Sequence, residues 1–178
     1  GRVGQVILQA ARTKTKENIF MIDILDSRLD IAVKSNTNII TINSLRENPV
    51  EVIKNYTDGK GVDIAFEAVG HAQPVKDVVH PVRGCIQSIK GGGTVCVLGL
   101  SEEEAPIVFK ELIWKEAKIL TSRVSHGEFA EAIHHLDRGN LNPEALISKI
   151  MPAEQIQEAF ELLESNPEKY LKILLDFN

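Results

Sequence analysis

The chain has 178 residues, 43% hydrophobic and 25% charged, enough to bury a sizeable core as one domain or one and a fraction. A net charge of -5, with Lys and Arg interspersed among Asp and Glu, leaves no basic patch and sets nucleic acid aside as an expected partner. No apolar run approaches the roughly 20 residues of a membrane-spanning helix. No charged leader with a small-residue cleavage site opens the chain, so a cytoplasmic protein without a membrane partner is expected.

Along the chain, short β-rich apolar runs alternate with longer amphipathic ones, the pattern of a parallel sheet whose strands are joined by helices. The chain opens Gly1-Arg2-Val3-Gly4 and runs into a helix carrying Val3, Val6, Ile7 and Ala10 at helical spacing. A strand over 19–23 follows, then a helix marked by Leu29, Ala32 and Val33, and a strand over 38–42. Asn48-Pro49 starts the next helix, and a strand covers 62–67. The stretch 71–90 reads as a loop or short helix over 72–80 and a helix after Pro81, which a first turn tolerates. Strands over 94–98 and 118–121 complete the alternation. The near-continuous Val95-Cys96-Val97-Leu98 predicts burial on both faces, as in a doubly wound sheet. Beyond residue 123 the texture changes to a helix over 128–137, a strand over 147–151, a helix over 153–164 and a strand over 172–177. Two parts are therefore expected, 1–123 and a tail over 124–178.

Gly1 and Gly4 have the spacing of the last two glycines of a GxGxxG fingerprint. The first would let backbone approach a pyrophosphate, the second would let helix and strand pack closely, and the helix N-terminus would offer N–H groups to the anion. A glycine pair in an ordinary loop has the same appearance. Asp23 ends the next strand nineteen residues beyond Gly4, close to the ~20 expected of a ribose-binding acid. A carboxylate there accepts from ribose hydroxyls and repels a 2′-phosphate, favouring NAD over NADP; its plain alternative is a strand-end turn residue. Arg28, five residues on, is placed either to cover an adenine face or simply in solvent. Cys85 and Cys96 lack CxxC spacing and read as packing residues of a reducing compartment. His71, His80, His126, His134 and His135 lack companions at ligand spacing, so this chain is expected to hold neither metal nor catalytic residues.

These residues resemble the medium-chain, zinc-type alcohol and polyol dehydrogenases over essentially the whole chain. The resemblance is carried by Gly1-Arg2-Val3-Gly4-Gln5, Asp23-Ile24-Leu25-Asp26-Ser27-Arg28-Leu29, Asp58-Gly59-Lys60-Gly61-Val62-Asp63 and Phe66-Glu67-Ala68-Val69-Gly70. It continues through Gly91-Gly92-Gly93-Thr94-Val95, Val97-Leu98-Gly99-Leu100, Lys115-Glu116 and Ile119-Leu120-Thr121-Ser122, and closes with Glu158-Ala159-Phe160-Glu161-Leu162-Leu163 and Lys172-Ile173-Leu174-Leu175. It implies a Rossmann-type doubly wound α/β fold, followed by an α/β tail that returns to an amino-terminal catalytic domain outside this chain. It also implies roles: Gly1, Arg2, Val3 and Gly4 at the pyrophosphate, Asp23 and Arg28 at the adenosine, and Ala68, Val69 and Gly70 at the ribose. Leu98, Gly99, Leu100, Thr121, Ser122 and Arg123 would line the nicotinamide. Zinc, held by that other domain, would polarise the alcohol oxygen while NAD takes the hydride.

The implied substrate is a secondary alcohol, such as a polyol, sugar or sugar acid, and the implied assembly a homodimer or homotetramer. The segment 106–114 could supply a dimer's apolar edge, although a core-facing helix explains the same residues. In place of a glycine turn after the second helix stands Ser35-Asn36-Thr37-Asn38, where Asn can take a left-handed cap. A strand preceding Gly1 would lie mid-sheet in the order 3-2-1-4-5-6 and its two neighbours need it as a partner, so a longer natural protein is expected. Two other readings stay open: a zinc-free, NADPH-dependent quinone or enone reductase, against which Asp23 speaks, and a non-catalytic nucleotide-binding module.

Overall fold

A computed structural model describes residues 1–70, 78–122 and 125–178. Its elements run α1 (Arg2–Arg12), β1 (Ile19–Asp23), α2 (Asp26–Ser35), β2 (Ile39–Asn43), α3 (Pro49–Tyr56), β3 (Val62–Glu67), α4 (Pro81–Ser88), β4 (Ile89–Val97), α5 (Phe109–Lys115) and β5 (Lys118–Thr121). The tail contributes α6 (Phe129–Asp137), β6 (Lys149–Pro152), α7 (Ile156–Ser165) and β7 (Ile173–Asp176), with 3-10 turns at Glu144–Leu146 and Ala153–Gln155. The chain forms two compact units, one of Gly1–Thr41 with Ser125–Asn178 and one of Ile42–Val124. This grouping differs from a division at residue 123. Its physical basis includes Gln9 of α1, a buried amide that donates to the Asn142 carbonyl at 3.0 Å and accepts from the Asn142 N–H at 2.8 Å.

In the first unit, Leu8, Met21, Leu29 and Ala32 form a buried cluster, with Ile19 and Ile39 packed against it. Apolar spacing alone misplaces the inner face of α1: Val3 and Val6 are about half exposed, whereas Gln5, Leu8 and Gln9 point inward. Gln5 can do so because its amide donates to the Arg28 carbonyl at 2.6 Å, satisfying a polar group that burial would otherwise penalise. After α2, the left-handed residue is Asn38 (φ 54), while the cap residue Asn36 is extended. Asn38 side-chain nitrogen donates to the Lys16 carbonyl at 2.9 Å, a local bond that Asn makes and Ala cannot. In the tail, β6 and β7 pair in parallel, each shorter than the sequence pattern suggests.

The second unit is built on the parallel sheet β3-β4-β5. Asn48 caps α3 by accepting the Val50 N–H at 3.0 Å, with Pro49 in the first turn, as its start signal predicts. Ile86, Ile89 and Val95 are the buried centre, joined by Val62, Ala65, Cys85, Val97 and Leu112. Strand β4 begins at Ile89, earlier than expected, because Ile89 already pairs with Val62 ahead of the register shift in β3. Burial on both faces of the sheet is not what the described residues present: Val95 is buried, yet Ile64, Phe66 and Leu120 are exposed. Likewise only part of α5 faces the core. Leu112 packs inward, while Phe109, Ile113 and Trp114 are exposed.

One cation ties α5 to α4. The Lys115 ammonium donates to the carbonyls of Ile86, Gln87 and Ile89 at 2.9, 2.8 and 2.6 Å, matching its three hydrogens to the unpaired end of a helix. Burial, aided by the like charge of Lys54 and opposed by Glu111, holds the lysine below its ordinary value. Replacing it with Met keeps the aliphatic stem and removes the donors. Lys115→Met is expected to lower unfolding free energy by about 2 kcal/mol, the scale of hydrogen bonds to a charged group, and denaturant unfolding of the full-length protein measures it.

Candidate functional site

In the first unit the site begins at the carboxyl end of β1. Asp23 keeps its side chain at 7% exposure. Its Oδ1 accepts the N–H groups of Ile24 and Leu25 at 2.8 and 3.1 Å, so the turn into α2 holds the carboxylate in one orientation. The other oxygen, Oδ2, accepts from the amino-terminal ammonium of Gly1 at 2.7 Å, and Arg28 Nη1 is 3.8 Å from Oδ1. Gly1, Asp23 and Arg28 are thus neighbours, separated by 22 residues of chain between the first two. Gly1 caps α1 without a side chain to occupy the first N–H groups, and the first turn holds no acid. Those donors suit an anion. A Cβ on Gly4 would come within 3.3 Å of Met21 Cε, so helix and strand approach closely at that glycine. Arg2 and Val3 are exposed on the same first turn.

The second unit assembles a separate set of residues at one sheet edge. Parallel register places Glu67 opposite Val97, and Val97 opposite Thr121, so the chain leaves all three strands from one row. Residues 68–70, residues 98–100 and Ser122 follow directly from that row; Ser122 N–H donates to the Val97 carbonyl at 3.2 Å. Carboxyl ends of parallel strands are where open α/β sheets hold ligands. Val69 and Leu100 are exposed there. Arg123 and His71 lie outside the described residues.

Two glycines bring the first two loops together. Gly70 has φ +74, and a Cβ would fall 2.5 Å from the Leu100 carbonyl oxygen, so both conformation and space require glycine. A Cβ on Gly99 would fall 2.5 Å from Glu67 Oε2 and 2.6 Å from Gly70 Cα. Glu67 itself, which the sequence reading places in the motif without giving it a role, is only 3% exposed. Its Oε1 accepts the N–H groups of Val69 at 2.7 Å and Gly70 at 3.2 Å. Its carbonyl accepts those of Leu98 at 2.8 Å and Gly99 at 3.1 Å. The available signal is an acid that closes the apolar run Ile64-Ala65-Phe66 at the end of the strand.

The zinc-binding dehydrogenase family model matches residues 3–138. The chain belongs to the zinc-binding dehydrogenase family. It is 30% identical to an uncharacterized zinc-type alcohol dehydrogenase-like protein of Haemophilus influenzae, covering 86% of this chain and 42% of that protein. It is 27% identical to D-arabitol-phosphate dehydrogenase of Enterococcus avium, covering 96% of this chain and 50% of that one. Among solved structures, an alcohol dehydrogenase from Thermus sp. ATN1 superposes with a TM-score of 0.88 at 26% identity, covering 100% of this chain and 49% of that one. The fold is therefore the Rossmann-type α/β fold of alcohol dehydrogenase domains, and the chain spans about half the length of these relatives.

Zinc-binding dehydrogenases take their family name from a metal, but the described residues of this chain contain no group of three or more His, Cys, Asp or Glu side chains placed to hold one. His134 and His135 are neighbours on α6, and His135 Nε2 lies 3.7 Å from Glu131 in an ion-pair geometry rather than facing a ligand cluster. Cys85 packs against the core of the second unit. Burial, with the nearby Glu67 charge adding to it, pushes its thiol from 9.0 up to about 12, so it is no nucleophile at neutral pH. Between those two values the unfolded chain has lost a proton that the folded chain retains, so stability falls as pH rises through this window. In Cys85→Ala this alkaline slope is expected to flatten between pH 9 and 12, read from urea midpoints across pH. Iodoacetamide at neutral pH is expected to label Cys85 only under unfolding conditions.

Proposed function

We propose that this chain is the cofactor-binding part of an NAD-dependent zinc-type dehydrogenase that oxidises a secondary alcohol to a ketone. Asp23 carries the reading. Its carboxylate is buried at the end of β1, aimed by two backbone N–H groups and set beside Gly1 at the N-terminus of α1. An acid so placed accepts from both ribose hydroxyls and repels a 2′-phosphate, which favours NAD over NADP. Gly1, Arg2, Val3 and Gly4 would receive the pyrophosphate on the open N–H groups of α1, and Arg28 the adenosine. Ala68, Val69 and Gly70 would border the ribose, and Leu98, Gly99, Leu100, Thr121, Ser122 and Arg123 the nicotinamide. The residues fit such a group: Gly1 leaves the start of α1 without a side chain, and a Cβ would crowd Gly4 and obstruct Gly70 and Gly99. When bound, NAD accepts the hydride; this chain's part is to hold the dinucleotide and orient its ring.

The metal implied by the family does not fit the described residues of this chain, and we assign zinc to a catalytic domain outside it. Residues 1–123 would belong to the nucleotide domain and 124–178 would pack with that catalytic domain. The arabitol-phosphate relative supports a polyol, sugar or sugar acid as substrate class. Two unpaired cysteines suit a cytoplasmic, reducing location. A homodimer or homotetramer is the assembly proposed. Strand β5 is an edge strand, and exposed Ile113 and Trp114 sit in the helix leading into it; two copies related by a two-fold axis would pair such edges antiparallel.

Calorimetric titration of the full-length protein is expected to give tighter binding of NAD than of NADP. Asp23→Ala should weaken NAD by about tenfold or more, the scale of one or two lost hydrogen bonds. Equal or tighter NADP binding would move the protein to the zinc-free reductase branch, and no binding of either would remove the enzyme reading. For the assembly, Trp114→Glu is expected to shift sedimentation toward the monomer, while an unchanged sedimentation coefficient places the interface elsewhere.

A further inference from the structure

We infer that Glu67 is a positioning residue for the bound dinucleotide, because one residue fixes both loops, residues 68–70 and residues 98–100, that would lie against it. The inference rests on the reading of those loops as cofactor-lining. Four hydrogen bonds converge on this residue. Oε1 takes the N–H groups of Val69 and Gly70, which fold the first loop back onto its own strand. The main-chain carbonyl takes those of Leu98 and Gly99, which hold the second loop to the end of β3. Oε2 occupies the space where a side chain on Gly99 would stand. The carboxyl group is thus both the fastener of one loop and a wall for the other.

Burial makes this arrangement stiff. At 3% exposure, the carboxyl has little solvent with which to exchange its partners. Gly70, with its left-handed backbone and its contact to Leu100, has a conformation that no other residue type adopts without strain. If Glu67 let go, the Val69 and Gly70 N–H groups would lose their acceptor, and the contact of Gly70 with Leu100 would lose its anchor. The first loop would lose its fastener, and the second, still held by the Glu67 carbonyl, would lose the carboxyl wall beside Gly99. A group that acts this way need not touch the dinucleotide; it sets how well the loops are organised before binding.

Reach and charge can be separated by two substitutions. Glu67→Asp keeps the charge but withdraws the acceptor by one methylene, whereas Glu67→Gln keeps an acceptor oxygen at the same reach. The test measures NADH binding to the folded full-length protein by nicotinamide fluorescence, with thermal unfolding recorded in parallel. Glu67→Asp is expected to raise the NADH dissociation constant about tenfold, the equivalent of one lost hydrogen bond, with Glu67→Gln within about threefold of wild type. Both variants binding NADH within twofold of wild type, whatever their melting temperatures, would overturn the positioning role while leaving the cofactor reading standing. The reverse order, Gln weak and Asp intact, would overturn it in favour of a charge effect. Wild type that binds neither NADH nor NADPH would overturn the cofactor reading, and this inference with it. Should Glu67→Asp fail to fold, Glu67→Met, which keeps the length of the side chain and removes the acceptor, replaces it with the same expected weakening and the same twofold criterion.

Discussion

Parallel register is the constraint on which the second unit's chemistry depends. Once Glu67, Val97 and Thr121 share a row, the three following segments must leave the sheet at the same edge, and residues far apart in sequence become neighbours without any long-range design beyond strand pairing. The covering helices serve that register. Lys115 holds the end of α4 to α5, and Glu111 accepts from Arg83 at 3.2 Å and Gln87 at 3.0 Å, so the layer behind the sheet is tied by charge-assisted bonds as well as by the apolar cluster around Ile86 and Val95. With strands and helices fixed, the close approach of Gly70 to Leu100 and of Gly99 to Glu67 becomes possible only without side chains at those two positions.

The first unit solves a different problem by the same means. A carboxylate beside a helix N-terminus is stabilised by the helix dipole and by N–H donors, yet a ligand needs that end of the helix free. Asp23 is engaged on both oxygens, Oδ1 by its own turn and Oδ2 by the Gly1 ammonium beside the start of α1. The orientation of this carboxylate is therefore set locally, by the N–H groups of the two residues that follow it.

Much of this was legible in the sequence where a local signal is strong. Strands at Ile19–Asp23, Val62–Glu67 and Lys118–Thr121 stand where their apolar runs are, and Asn48-Pro49 starts a helix as its chemistry requires. The Gly1, Gly4 and Asp23 spacing brings Gly1 and Asp23 into contact. What was not legible depends on partners distant in sequence. Gln5 and Gln9 lie inside because carbonyls of Arg28 and Asn142 meet them, which no helical period encodes. Asn38, not the helix cap, turns left-handed, because it reaches back to Lys16. Glu67 stands in the Phe66-Glu67-Ala68-Val69-Gly70 motif with no role legible there, because its partners come from two loops that close around it only in the fold.

Exposed apolar residues mark the difference between what a sequence records and what these 178 residues display. Phe66, Cys96 and Leu120 lie in one cross-strand row, and Ile64 stands two residues before Phe66 on the same strand face. In the neighbouring row, Ala65 and Val95 face the other way, toward Ile86 and Leu112, while Ile119 at its end stays exposed. A run such as Val95-Cys96-Val97-Leu98 carries hydrophobicity at both parities, and that composition describes a strand with neighbours on both faces. Only the helix-covered parity finds them among the described residues, while Phe66 and Leu120 remain at 43% and 55% exposure. Contiguous apolar surface of this kind is costly in water and is seldom left open in a finished assembly. Along β3, β4 and β5 the apolar pattern thus exceeds what α4 and α5 cover on one face, because those helices reach only the row that includes Ala65 and Val95.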